Sequence, residues 1–283
     1  MDFYDQPHMR KALSRIIKIL SERTDNATWD NVIPFLEGLT SSKRLVPAQF
    51  YQRLTRKAGE LGKESVIIRC VESPHKTNLR LNIKGVAREL FVAFHRRAFD
   101  AGFKGGELDS AFARAERIAL VLEDEEHCGG KLKLFDDKKT YFQVDARSDP
   151  VVLSVLLELS AAKAATDAVD EALIKKVTSY AQKVAYAVEH PPRTEIVYGI
   201  NFIPKRYEAD NRELEEAVIG ESAIQKALKL DLDQELTQQL KKTSEALKAK
   251  ISEFEPSVRE QAAGNPRRAL EFYDQLQGAE KSS

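Results

Sequence analysis

Nowhere does an apolar run approach the ~20 residues that a bilayer-spanning helix needs, so membrane insertion is not expected. Cysteine is scarce. Cys70 and Cys128 lack metal-ligand spacing and read as two ordinary thiols of a reducing compartment, not as a disulfide framework. With 13 glycines and 10 prolines in 283 residues, helix breakers are sparse enough for long helices. Catalytic signatures are missing too. There is no nucleophile elbow, no phosphate-binding glycine loop and no HExxH helix. Gly102-Phe103-Lys104-Gly105-Gly106 follows a helical pattern where a nucleotide loop would follow a strand, so it reads as a turn. His127-Cys128 adjoins Gly129-Gly130, but neighbouring side chains rarely aim at one point and no further ligand sits at metal spacing. The expectation is therefore no enzyme, no metal and no cofactor.

The chain does contain regular helical patterning, with 42% hydrophobic and 31% charged residues. Its formal charge of zero conceals an asymmetry. From His8 to Lys104 there are 19 Lys/Arg against 9 Asp/Glu, whereas from Gly105 to Ser283 there are 25 against 33. A basic first part and an acidic remainder point to an anionic partner on one side only. Near the start, Arg10, Lys11, Arg15 and Lys18 alternate with Met9, Leu13, Ile16, Ile17 and Leu20. The pattern is a basic amphipathic helix, read as the first helix of the fold, with a removable organelle presequence as the alternative.

Two segments forty positions apart share one signature: Leu54-Thr55-Arg56-Lys57-Ala58-Gly59-Glu60-Leu61-Gly62 and Phe94-His95-Arg96-Arg97-Ala98-Phe99-Asp100-Ala101-Gly102. Each ends a helical stretch, and each is followed by a second one. A recurring helix-turn-helix unit is the mark of a solenoid. The expected fold is thus all-α, a helix-turn-helix repeat solenoid. A small extended or hairpin insertion is expected at Lys131–Val144, where Leu132, Leu134, Tyr141, Phe142 and Val144 flank Asp136-Asp137-Lys138-Lys139. A third helix pair is expected over Val151–Ala165 and Ala168–Glu189, and a helix over Asn211–Leu228 is followed by a long run from Asp231 to Phe254. The irregular, apolar stretch after His190-Pro191-Pro192-Arg193 suggests a boundary. The expected organisation is a helical-repeat domain at 1–190, an irregular linker at 191–210 and a C-terminal helical region at 211–283.

Val46-Pro47-Ala48-Gln49-Phe50-Tyr51-Gln52-Arg53-Leu54, with Ala58, Gly62-Lys63 and Cys70, resembles one pentatricopeptide repeat. Asn82 to Glu123 looks like the same theme with a longer leading helix. Asn265-Pro266-Arg267-Arg268-Ala269-Leu270-Glu271-Phe272-Tyr273 is similar to the trailing helix of a tetratricopeptide repeat. The resemblance implies a degenerate helical-repeat protein of the mitochondrial matrix, associated with RNA and plausibly a subunit of the mitochondrial ribosome; a cytoplasmic protein is the alternative. Two units are too few to read one base per repeat.

The residues singled out for binding are Arg53, Arg56 and Lys57 on the first leading helix and Arg88, Arg96 and Arg97 on the second. If those helices stack in parallel, the six cations share a ridge that meets the RNA phosphate backbone, since arginine donates paired hydrogen bonds to phosphate. Reversing Arg56, Lys57, Arg96 and Arg97 to Glu is expected to abolish association with ribonucleoprotein and leave helicity intact. Phe99 and Phe103 are the best candidates for exposed stacking groups. Two readings follow. One is a non-catalytic repeat subunit that docks on RNA and on neighbouring proteins of a large ribonucleoprotein. The other is a protein-binding scaffold or assembly factor with no direct RNA contact.

Overall fold

The structure is a computed structural model and describes residues 7–44, 46–128, 145–166, 170–190, 206–265 and 267–281. Among these residues the chain is all-α, with no strand. The helices are α1 (Pro7–Glu22), α2 (Asn26–Asp30), α3 (Val32–Ser41), α4 (Ala48–Glu60), α5 (Glu64–Val71), α6 (Pro74–Thr77), α7 (Val86–Asp100), α8 (Gly105–Val121), α9 (Glu125–Cys128), α10 (Pro150–Thr166), α11 (Glu171–Glu189), α12 (Arg206–Ala227), α13 (Gln234–Ala262) and α14 (Arg268–Lys281). The insertion expected at 131–144 lies outside the described residues. Two compact units form. The first holds residues 1–100 and 113–147, the second residues 101–112 and 148–283. The linker expected at 191–210 falls outside the described residues as far as 205, and from 206 onward the chain is α12. The helices before and after it, α10–α11 and α12–α14, belong to one unit.

In the first unit, α1 packs on α4, and its Leu13, Ile17 and Leu20 are each at most 5% exposed. Asp25 caps α2 by accepting a hydrogen bond from the Thr28 amide at 2.7 Å. Trp29 is fully buried, and its indole N–H donates to the Arg23 carbonyl at 2.9 Å, which removes the cost of burying that donor. Leu54 and Ala58 on α4, and Phe94 and Ala98 on α7, are fully buried, as their shared signature requires. Gly62 and Gly102 both adopt left-handed backbone, with φ of 66° and 63°. The recurrence in sequence is thus a recurrence of helix ending, because a β-carbon is disfavoured there.

α4 and α7 lie unusually close. A β-carbon on Gly59 would stand 2.6 Å from Ala93 Cβ, and Gln52 approaches Glu89 seven residues earlier on α4. Positions advance together along both helices, so they run in the same direction. α7 begins at Val86, four residues later than the pattern suggests. Asn78 and Gly85, with φ of 55° and 84°, turn the intervening segment instead of extending the helix backwards.

The second unit is built around α10. Every residue from Pro150 to Ala162 is buried, so this helix has no polar face and lies inside the bundle. It packs on α11 and α12, α12 packs on α13 and α14, and α11 packs on α13. Gly220 on α12 lets the chains close up: a β-carbon there would meet a Leu247 methyl at 3.0 Å and Ser154 Oγ at 3.6 Å. α13 does not stop near Phe254 but runs through Pro256 to Ala262. The ring of Pro256 is exposed, and the next residue, Ser257, donates to Asp210 at 2.8 Å and ties this part of the helix to α12.

Candidate nucleic-acid interface

The six cations singled out in sequence all lie in the first unit, on α4 and α7, but their surroundings differ. Arg53 is exposed and makes no ion pair or hydrogen bond with a described residue. Arg56 approaches Glu60 at 3.6 Å, and Lys57 hydrogen-bonds the same carboxylate. Arg96 approaches Asp100 at 3.7 Å. Arg88 is half-buried and has interactions of its own. The repeated signature therefore carries its own counter-charge: each pair of cations precedes a carboxylate, Glu60 or Asp100, four residues after the first of them. Such i,i+4 pairs on a solvated face contribute about 0.3–0.5 kcal/mol each, and the order cation-then-acid is the weaker one. They lower the local field without locking the arginines in place.

Arg97 has a different role. Its guanidinium lies 3.0 Å from Glu64, whose side chain is only 2% exposed, and Arg114 of α8 hydrogen-bonds the same oxygen. One buried carboxylate at the start of α5 thus gathers an arginine from α7 and another from α8. A second tie, Arg117 to Glu72, runs beside it. Arg97 is a fold-holding group. Reversing it to Glu would set two carboxylates together, so the quadruple reversal considered above would not leave helicity intact. Sequence spacing offers no sign of this, because Glu64 and Arg114 sit on other helices.

His127 is likewise structural. It is 2% exposed, and its Nδ1 accepts from the Leu81 amide at 3.1 Å. Burial pushes its pKa below the ordinary value, so the ring is neutral. Its Nδ1 lone pair is taken up by backbone, and the described residues hold no cluster of ligand-type side chains. Burial pushes the Cys70 thiol up to about 12, which makes it unreactive.

Of the two aromatics expected to be exposed, Phe99 is 6% exposed and lies against the His95 ring at 5.3 Å. It is a core residue. Phe103, in the second unit, covers the Lys226 ammonium at 3.8 Å from its ring centroid. Neither presents an open face for a base. In place of stacking groups, the first unit offers separate exposed cations with unequal neutralisation. That arrangement suits phosphate contacts, which hold and orient, and supplies no base-edge readout.

The family model Mrp13, described as mitochondrial ribosomal protein mS27, matches residues 1–275 of the chain. No curated protein matches it.

Proposed function

The chain belongs to the mitochondrial ribosomal protein mS27 family, and from that premise we propose that its first unit rests on RNA phosphates while its second meets protein. The chain is a non-catalytic, helical subunit of the mitochondrial ribosome, with a structural role. The observation that carries the RNA contact is the excess of 19 Lys/Arg over 9 Asp/Glu between His8 and Lys104. Arg53 and Arg56 are exposed on α4 within that stretch, and Arg88 and Arg96 extend the set along the parallel helix α7. Lys57 is a peripheral member of the set, and Arg97 acts in it only by holding α7 in place. We read α4–α5 and α7–α8 as two degenerate pentatricopeptide-like units. The support is the shared direction of α4 and α7 and the left-handed glycine that ends each signature.

A second reading, a protein scaffold without RNA contact, draws on one specific observation: Arg56, Lys57, Arg96 and Arg97 each face a carboxylate. The two readings separate on salt. Each neutralised phosphate contributes about 0.7–0.9 to the log–log slope of affinity against salt. Binding of the full chain to a labelled RNA hairpin should weaken steeply with KCl, and R53E/R56E should lower that slope by about 2. An affinity that stays flat from low to high salt would reject the RNA reading in favour of the scaffold.

A further inference from the structure

We infer that α1 is itself a phosphate-gripping element, with Lys11, Arg15 and Lys18 lying along an RNA backbone; the inference rests on the RNA contact proposed for the first unit. From Pro7 to Ser21 this helix carries four cations and no carboxylate. At 100° per residue, Lys11, Arg15 and Lys18 fall within an arc of about 60°. They stand opposite Leu13, Ile17 and Leu20, which are 5%, 4% and 4% exposed and fix the other side of the helix. The stripe therefore faces solvent and spans roughly 10 Å from the first cation to the last. Lys11 and Arg15 are exposed and make no ion pair or hydrogen bond with a described residue. Lys18 reaches Glu22 at 3.8 Å with both side chains largely in water, 76% and 62% exposed, a contact of little strength. The contrast with α4 and α7 is direct. There a carboxylate follows each cation pair, whereas along α1 none appears until its last residue.

The chemistry selects the partner. A helix that lies on a membrane needs a free apolar face as well as a basic one. The apolar face of α1 is already spent on the core, and Ile19, at 44%, is the large apolar side chain of this helix left in water. Charge without a free apolar face fits a phosphate backbone.

The test uses the full chain and a labelled RNA hairpin across a KCl series. K11E/R15E/K18E should lower the log–log salt slope by about 3 and weaken binding at least about tenfold near physiological salt. K175E/K229E/K241E makes the same change in net charge at exposed positions of the second unit and should leave slope and affinity unchanged. K11Q/R15Q/K18Q removes the charge without adding acid and should lower the slope equally if the reversed variant folds poorly. An α1 variant that binds like wild type, while R53E/R56E does not, overturns the inference and leaves the proposed function standing. Loss of co-sedimentation with anionic-lipid vesicles, with RNA affinity unchanged, overturns it in favour of a membrane contact. Wild-type chain that binds the hairpin without salt dependence overturns both.

Discussion

The two units place their buried carboxylates differently. In the first, exposed cations line α1 and α4, and Glu64, buried at the start of α5, ties three helices through Arg97 and Arg114. In the second, the bundle takes charge into its interior. Glu158 on α10 is fully buried and meets Lys226 at 2.7 Å and the Ser222 hydroxyl, with Phe103 over the ammonium. Glu215 takes a paired contact from Arg268, and Glu221 accepts from Gln225 at 2.8 Å and Ser244 at 3.0 Å. Formal charge thus says little about a surface until the charges used in packing are set aside. Buried carboxylates hold Lys226 and Arg268 in the second unit, and Arg97 and Arg114 in the first.

The comparison would break most visibly at the buried carboxylates. Glu158→Ala strands an ammonium beside an apolar helix and should cost about 3–5 kcal/mol, seen as a lower melting temperature and faster amide exchange in α10 and α12. E158L/K226M removes both partners and should recover most of that loss. Glu64→Ala in the first unit should cost less, about 1–3 kcal/mol, because guanidinium is more weakly hydrated than ammonium and Arg97 and Arg114 keep 25% and 29% of their side chains in water against 21% for Lys226. Equal losses at the two sites would erase the distinction.

The two close glycines sharpen it further. Alanine at either gains up to about 1 kcal/mol of helix propensity. At Gly59 the added carbon meets Ala93 Cβ at 2.6 Å, where neither backbone has room to yield, so overpacking of about 1–3 kcal/mol should dominate and destabilise. At Gly220 the obstacle is a Leu247 methyl at 3.0 Å, the end of a flexible side chain. Gly220→Ala should be neutral or mildly stabilising in urea melts. The same sign for both variants would mean the two helix contacts are equivalent.

The smallest effect is pH-dependent and confined to the first unit. The His127 ring is neutral when folded, whereas unfolded it charges near the ordinary value of 6.5. Below that pH the unfolded chain binds the extra proton, so its population grows. The stability that His127 confers is complete above the ordinary value and declines as pH falls toward the lowered one. The slope cannot exceed about 1.4 kcal/mol per pH unit. His127→Gln should remove this slope from urea melts of the full chain, and an unchanged slope would assign the titration elsewhere.

Much of the fold was legible from periodicity. Leu54, Ala58, Phe94 and Ala98 follow a 3.6-residue spacing and are buried, and the glycines that close their helices are left-handed. Three features did not show. The start of α7 depends on the backbone of Asn78 and Gly85, and helical periodicity carries no record of that. Pro256 sits inside α13, where the long helical run before it and the tie of Ser257 to Asp210 outweigh the local preference. The binding set was legible only as a list of cations. Arg53 and Arg97 look alike in sequence, yet one is open to solvent and the other holds Glu64.

The order of residues alone determined the all-α class, the inward faces of the helices and the basic first part, since these depend on spacing and charge within a few turns. Tertiary structure decided which cations are spent on carboxylates thirty or more residues away, and which glycine admits a neighbouring helix. Those outcomes depend on approach between distant segments, because an ion pair or a close crossing exists only once both partners have been brought together.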